Sequence, residues 1–215
     1  MQMGKTKVKV CGLTRKEEAE MLADCRVEFA GMVLFFPKSK RNIAIDRAAE
    51  MIKKLDKNIQ KTAVVVSPDI NQIKAITDVG FDYIQIHGTL FDEVHDVLRI
   101  PVIRAVNVAG ETAEDKESIR RQLESVLADE KTAGILFDGS SPGAGKTFDW
   151  SILKAVPDHR YFLAGGLGTE NIKEAIQIYH PAVIDLSSSV ETDGKKDRKK
   201  ILAAVKAVRD TGKTI

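Results

Sequence analysis

Phe29-Ala30-Gly31-Met32-Val33-Leu34-Phe35-Phe36 is a nearly continuous apolar run. Successive side chains of a strand point to opposite faces, so an unbroken run of this kind reads as a strand covered on both sides. Strands of that type belong to parallel sheets, whose crossover helices pack on the faces. Upstream, Lys7-Val8-Lys9-Val10-Cys11-Gly12-Leu13-Thr14-Arg15 reads as a shorter strand that turns into a helix. Val8 and Val10 share the face suited to helices, while Lys7, Lys9 and Cys11 share the other. Thr14 with Glu17 three residues on is a capping-box pattern, and Ala19, Leu22 and Ala23 follow at helical spacing.

The same unit recurs downstream. After the loop Pro37-Lys38-Ser39-Lys40-Arg41-Asn42, a helix is predicted from about Ile45 to Leu55, then a strand over Lys61–Val66. Ser67-Pro68-Asp69 opens the next helix and Gly80 closes it. Strands at 83–88, 101–106, 133–138, 160–164 and 182–186 then alternate with helices near 92–98, 113–128, 150–156, 169–178 and 198–209. Eight strands alternating with eight helices predict a closed (β/α)₈ barrel, an α/β fold read as one domain over residues 1–215. An open doubly wound sheet is the alternative, but it asks for a glycine-rich turn after an early strand, and the first turn offers only Gly12.

At 215 residues, 43% hydrophobic and 30% charged, the chain is long enough for a full core. A net charge of +2 gives no bulk attraction for nucleic acid or membranes. The start leads directly into a strand, and no apolar run approaches a membrane span. Two cysteines, Cys11 and Cys25, do not make a disulfide framework and fit a reducing cytoplasm. No CxxC or HExxH spacing occurs, so no metal is expected. His95, His159 and His180 fall at helical or pre-strand positions and read as structural or solvent-facing. The basic run Lys195-Lys196-Asp197-Arg198-Lys199-Lys200 reads as a solvated face.

In such barrels, chemistry sits at the carboxyl ends of strands and in the loops that follow. Unusual polar residues gather there: Cys11, Arg41, Gln85, His87, Asp138 and Asp185. An isolated cysteine is often a small core hydrophobe, yet closure would bring all six of these to one rim. Three later stretches read as anion cradles. The loop Gly139-Ser140-Ser141-Pro142-Gly143-Ala144-Gly145-Lys146-Thr147 can free backbone N–H groups. A Walker loop would need glycine at position 140, which is Ser140, so nucleoside triphosphate binding is rejected. Leu163-Ala164-Gly165-Gly166-Leu167-Gly168 and Ser187-Ser188-Ser189 follow the last two strands, the common phosphate position of this fold. Together they point to a small phosphorylated, sugar-like substrate.

Lys9–Arg15, Phe36–Arg41, Gln85–Gly88, Gly145–Trp150, Leu163–Leu167 and Asp185–Ser188 together, in this order, resemble the signatures of the phosphoribosylanthranilate isomerase family. The resemblance implies an Amadori rearrangement in tryptophan biosynthesis. N-(5-phosphoribosyl)anthranilate becomes 1-(2-carboxyphenylamino)-1-deoxyribulose 5-phosphate without metal or organic cofactor. It also implies that Cys11 is the general base, Asp138 the general acid and Arg41 the holder of the anthranilate carboxylate. Phosphate would fall to Gly143, Gly145, Gly165, Gly166, Ser187 and Ser188, with Gln85, His87 and Asp185 also facing substrate.

The chemistry asks for the same division of labour: opening the ribose ring needs an acid at the ring oxygen, and enolisation needs a base at C2. Asp138 is therefore expected to have a raised pKa and Cys11 a lowered one. Lys9 either supplies positive potential to the thiol or fills the barrel as the partner of Asp185. Several positions depart from the family pattern. Lys40 replaces a frequent proline, Ala144 a frequent hydroxyl residue, and Thr89 and Leu90 frequent acidic residues. Ser189 stands where glycine is usual, adding a side chain where backbone could approach phosphate. Two alternatives stay open: another phosphosugar barrel enzyme, or a non-catalytic phosphate-binding barrel. Metal-dependent epimerases would want several histidine and aspartate ligands, and only His87 is placed for that. An inactive barrel would show damage at Cys11, Asp138 or Arg41, and all three are present. The sequence is compatible with a monomer or a homodimer.

Overall fold

The computed structural model describes residues 5–108, 113–139 and 161–211, with the side chains of 113–116 not described. Eight strands form the wall: β1 (Lys7–Cys11), β2 (Phe29–Leu34), β3 (Gln60–Val66), β4 (Tyr83–His87), β5 (Val102–Val108), β6 (Thr132–Gly139), β7 (Tyr161–Leu163) and β8 (Val183–Leu186). Each pairs in parallel with the next, and β1 pairs with both β2 and β8, so the sheet closes on itself. That double pairing excludes the open doubly wound sheet. A two-residue strand, Asn42–Ile43, lies beside the end of β2.

Seven helices lie among the described residues: α1 (Lys16–Cys25), α2 (Ile45–Ile52), α3 (Ile70–Val79), α4 (Asp92–Val97), α5 (Ala113–Ala128), α6 (Ile172–Tyr179) and α7 (Arg198–Thr211). The helix predicted at 150–156 and His159 lie outside the described residues. None of the described helices is long and apolar enough to cross a membrane.

Alternation along the strands divides the apolar residues into two cores. Val8, Val10, Ala63, Val65, Ile84 and Ile86 face outward and pack with helix residues such as Leu22, Met51, Ile73 and Ile201. Phe29, Ile103, Leu136, Phe162 and Val183 fill the barrel interior. Phe29 meets Tyr83 and Phe162 edge to face, at centroid separations of 5.7 and 5.4 Å. This plug closes the amino-terminal part of the barrel, so the polar interior residues lie toward the carboxyl ends of the strands.

Helix starts follow local chemistry. Asp69 accepts the Gln72 N–H at 2.9 Å at the head of α3, and Gly80 ends that helix at φ +89°. At α1 the capping box is one residue later than Thr14 and Glu17 predicted. The N-cap is Arg15, and the buried Glu18 carboxylate accepts the N–H of Thr14 at 2.7 Å and of Arg15 at 3.2 Å. Glu18 takes this role because its second oxygen has a distant partner, the Lys196 N–H at 3.0 Å.

Candidate active site

Cys11 is the last residue of β1 and lies in register with Gly31 of β2. A Cβ built at Gly31 would stand 2.8 Å from the thiol sulfur, so this glycine provides the room the thiol occupies. Gly12, at φ +81°, then turns the chain off the strand. A Cβ there would come within 2.3 Å of Arg41 Cδ, which places the Arg41 stem directly across Gly12. Thiol and guanidinium are thereby brought side by side from two different strand–helix loops.

Lys9 lies one step deeper on the same face and is fully buried. Its ammonium donates to Asp185 Oδ2 at 2.6 Å and to Gln85 Oε1 at 2.8 Å. Burial disfavours the charge on Lys9, but Asp185 and Cys11 outweigh burial and hold its pKa above the ordinary value. Burial also lifts the Asp185 carboxyl, and Lys9 only partly offsets this; contact with an ammonium held charged nevertheless makes the two an ion pair. The other oxygen, Asp185 Oδ1, is buried without a hydrogen-bond partner. The amide of Gln85 lies 2.8 Å from His87 Nε2. Burial, then Lys9 and Arg104, push the His87 pKa down to about 4, so its ring is neutral and Nε2 can accept the Gln85 N–H. Asn107 of β5, which lies in register with Asp138 of β6, partly opposes that downward shift of His87. Lys9 therefore fills both roles considered for it: it neutralises Asp185 and supplies positive potential to the thiol.

Asp138 is 7% exposed, and its Oδ1 accepts the Gly139 N–H at 2.8 Å. Burial, reinforced by Asp185, raises its pKa to about 7 against the opposing Gly139 bond and Lys9. This is the direction expected of an acid. Cys11 departs from expectation. Burial pushes the thiol pKa up, and Lys9 and Lys196 offset this only in part while Asp185 adds to it. Desolvating a thiolate here costs more than the neighbouring cations return, so the thiol form of Cys11 is favoured.

The Lys195–Lys200 run is also corrected at one position. Lys196 is 6% exposed and its ammonium bonds Glu191 Oε1 at 2.7 Å and the Ser187 carbonyl at 3.2 Å. Glu191 and Lys196 face each other across a two-residue hairpin whose turn, Asp193-Gly194, has φ of +51° and +71°. Two consecutive positive φ values at Asp-Gly are the pattern of a tight hairpin turn. Glu191 also receives Arg41 in a fork, Nε to Oε1 at 2.8 Å and Nη2 to Oε2 at 2.9 Å.

After β7, Gly165 and Gly166 adopt φ of +82° and +66°, and the Asn171 amide ties the loop by donating to the Gly166 carbonyl at 2.9 Å. After β8, Ser187 donates its hydroxyl to the Cys11 carbonyl at 3.1 Å, and Ser188 opens a single 3₁₀ turn. Ser189 is exposed and not at positive φ, so the backbone there does not demand glycine. Gly143, Gly145 and Ala144 lie outside the described residues. His95 is structural, paired with Asp129 at 3.0 Å. Cavities of about 630 and 430 Å³ lie on the flank, with Arg104, Ser125 and Val126 in both linings. Neither is lined by Cys11 or Asp138, although the larger is lined by Asn107, which lies in register with Asp138. Among the described residues no cluster of three or more His, Cys, Asp or Glu could hold a metal ion.

The family model of N-(5'-phosphoribosyl)anthranilate (PRA) isomerase matches residues 8–207. The chain belongs to this family. An N-(5'-phosphoribosyl)anthranilate isomerase of Streptococcus mutans is 34% identical over 206 residues, covering 95% of this chain and 99% of the relative. One from Streptococcus pneumoniae is 35% identical over 207 residues, with 95% and 96% covered. The crystal structure of the phosphoribosylanthranilate isomerase from Thermotoga maritima superposes with a TM-score of 0.79 at 31% identity, covering 95% of this chain and 99% of that one. A further isomerase structure, with reduced 1-(o-carboxyphenylamino)-1-deoxyribulose 5-phosphate bound, gives 0.78 at 31% identity over the same shares.

Within this member of the phosphoribosylanthranilate isomerase family, the barrel gathers Cys11, Gln85, His87, Asp138 and Asp185 at one end of its interior, with Arg41 crossing above Gly12. Sequence reasoning missed Asn107, Glu191 and the buried Lys196. The Asp193-Gly194 pair was a legible hairpin signal for the last two.

Proposed function

We propose that this chain, acting as one (β/α)₈ domain, isomerises N-(5-phosphoribosyl)anthranilate to 1-(2-carboxyphenylamino)-1-deoxyribulose 5-phosphate in tryptophan biosynthesis. The observation that carries the reading is the pairing of an inward thiol at the end of β1 with a carboxyl on β6 whose pKa stands at about 7. Asp138 gives its proton to the ribose ring oxygen; the ring C–O bond breaks and an iminium forms at C1. Cys11 then takes the proton from C2, and the C2–H electrons become the double bond of an enol-amine. Return of a proton to C1 and loss of the enol proton leave the ketone.

Because its pKa is raised, the Cys11 thiol must release its own proton to solvent before it can take the one on C2. The iminium is a new positive charge at the barrel mouth, and it favours the thiolate at the moment a base is required. Lys9 and Lys196 hold two further cations within electrostatic reach of the sulfur. Arg41 binds the anthranilate carboxylate. Gly143, Gly145, Gly165, Gly166, Ser187 and Ser188 cradle the phosphate, with Ser187 contributing through its backbone N–H because its hydroxyl proton is committed to Cys11 O. Gln85 and His87 order the interior beneath the substrate, and Asp185 Oδ1 offers an acceptor to a sugar hydroxyl. The protein works in the cytoplasm as a monomer or homodimer and needs no cofactor.

The test is consumption of freshly prepared phosphoribosylanthranilate by the purified chain, followed by fluorescence with chelator present. Turnover is expected. No consumption would favour a phosphate-binding barrel without activity.

A further inference from the structure

Arg41 reaches the barrel mouth in a defined orientation. Both oxygens of Glu191 are taken by its Nε and Nη2, at 2.8 and 2.9 Å, which is the side edge of the guanidinium. A guanidinium carries five N–H bonds in a rigid plane, so the end edge keeps both protons of Nη1 and one of Nη2. One planar cation can therefore be held by a protein carboxylate on one edge and present a second bidentate edge to another carboxylate.

We propose that Glu191 and Lys196 are positioning residues for the reaction, fixing Arg41 so that its free edge receives the carboxylate of the aromatic amine. This rests on the reading above that Arg41 binds that carboxylate. Three features support it. The cluster is a buried one: side-chain exposures are 11% for Arg41, 7% for Glu191 and 0% for Lys196. Surface ion pairs hold little geometry, whereas a buried fork with every oxygen engaged does. The charge balance also matters. Glu191 alone would neutralise Arg41 and leave nothing to attract an anion; Lys196 on Oε1 at 2.7 Å makes the group two cations against one anion. Glu191 stays ionised, held at about 2 by Arg41 and Lys196 against its burial.

The third feature is mechanical. The hairpin that carries Glu191 and Lys196 is pinned to the loop after β1, because the Lys196 N–H donates to Glu18 Oε1 at 3.0 Å while Glu18 Oε2 accepts from Thr14 N at 2.7 Å. The Lys196 ammonium also holds the Ser187 carbonyl at 3.2 Å, in the loop after β8. The height of Arg41 above Gly12 is thus set by the same ties that set the loops following β1 and β8. A latch, in which Glu191 competes with the substrate for Arg41, would need the two carboxylates to share one edge, and the side-on fork leaves the other edge open.

The test compares steady-state kinetics of wild type, Glu191→Gln, Lys196→Met, Arg41→Ala and the Arg41→Ala/Glu191→Gln double variant on two freshly made substrates. One is phosphoribosylanthranilate; the other is N-(5-phosphoribosyl)aniline, which lacks the carboxylate. Glu191→Gln is expected to raise KM for phosphoribosylanthranilate about tenfold, the scale of a lost charged hydrogen bond, with kcat nearly unchanged. Its KM for the aniline substrate should not move, and in the Arg41→Ala background it should add nothing. Equal effects on both substrates, or full additivity with Arg41→Ala, would make Glu191 merely structural and overturn the proposal. A lowered KM would establish the latch and overturn it too. If Arg41→Ala itself affects both substrates equally, the carboxylate role of Arg41 fails, and the proposal with it. Should Lys196→Met not fold, Lys196→Arg, which keeps the charge, is expected to retain a near wild-type KM.

Discussion

Replacing Asp138 by asparagine removes a charge that the barrel resists, and its consequence for stability can be worked out with its sign. The folded-state pKa is about 7, against an ordinary 3.8 for an exposed aspartate. Between those values the folded protein holds a proton that the unfolded chain has released. The folded state binds more protons there, so stability falls as pH rises from about 4 to about 7 and stays low above that. Each pH unit in the interval is worth about 1.4 kcal/mol, so the full loss is at most about 4 kcal/mol. Asparagine stays neutral at every pH, and its Oδ1 can still accept the Gly139 N–H that Asp138 accepts at 2.8 Å. Urea unfolding of both proteins at pH 5 and pH 8.5 gives the comparison. Other titrating groups contribute to both, so the difference between the two slopes isolates Asp138. Asp138→Asn is expected to be more stable than wild type at pH 8.5 by up to about 4 kcal/mol, and less distinguishable from it near pH 5, while losing turnover. Parallel slopes would refute the desolvated-acid account.

Cys11→Ser should keep the fold and the affinity for substrate but lower kcat on the order of 10²-fold or more; a near wild-type kcat would remove Cys11 from the base role. Gly31→Ala brings a methyl to 2.8 Å from the thiol sulfur and 3.1 Å from Cys11 Cα. It is expected to cost about 1–3 kcal/mol and to lower kcat with it, read from thermal unfolding and kinetics together. Lys9→Met strands Asp185 in the interior and should destabilise by about 3–5 kcal/mol. Adding Asp185→Leu is expected to restore most of that in a denaturation assay, and no restoration would show that the pair is not what the substitution broke.

The barrel was legible because apolar-rich stretches alternate with helical patterns along the chain, and polar residues such as Cys11, His87 and Asp138 stand at or beside the carboxyl ends of several of those stretches. Val8 and Val10 against Lys9 and Cys11 is enough to tell wall from interior. The same alternation exposed Gln85, His87, Asp138 and Asp185 as odd interior residues. The protonation of Cys11 was not legible, since burial is a property of the closed barrel while Lys9 is visible two residues away. Lys196 was hidden inside a basic run, where only the Asp193-Gly194 turn reveals that one lysine points in. Asn107 looks like a strand-end polar residue until register places it beside Asp138. The cap at Glu18 rather than Glu17 depended on Lys196, a partner 178 residues away.

Closure of the wall joins the oldest and youngest parts of the chain. The Lys9–Asp185 pair and the Ser187 bond to Cys11 each span 176 residues. At ribosomal rates of roughly 5–20 residues per second, the first strand waits on the order of ten to thirty-five seconds for its second neighbour. Through that interval Lys9 has no Asp185, one edge of β1 is unpaired, and Cys11 lacks Lys196. The candidate active site is therefore completed only by β8 and the hairpin after it, and a nascent chain stopped short of them carries a nearly finished barrel in which Lys9, Cys11 and Arg41 lack Asp185, Lys196 and Glu191.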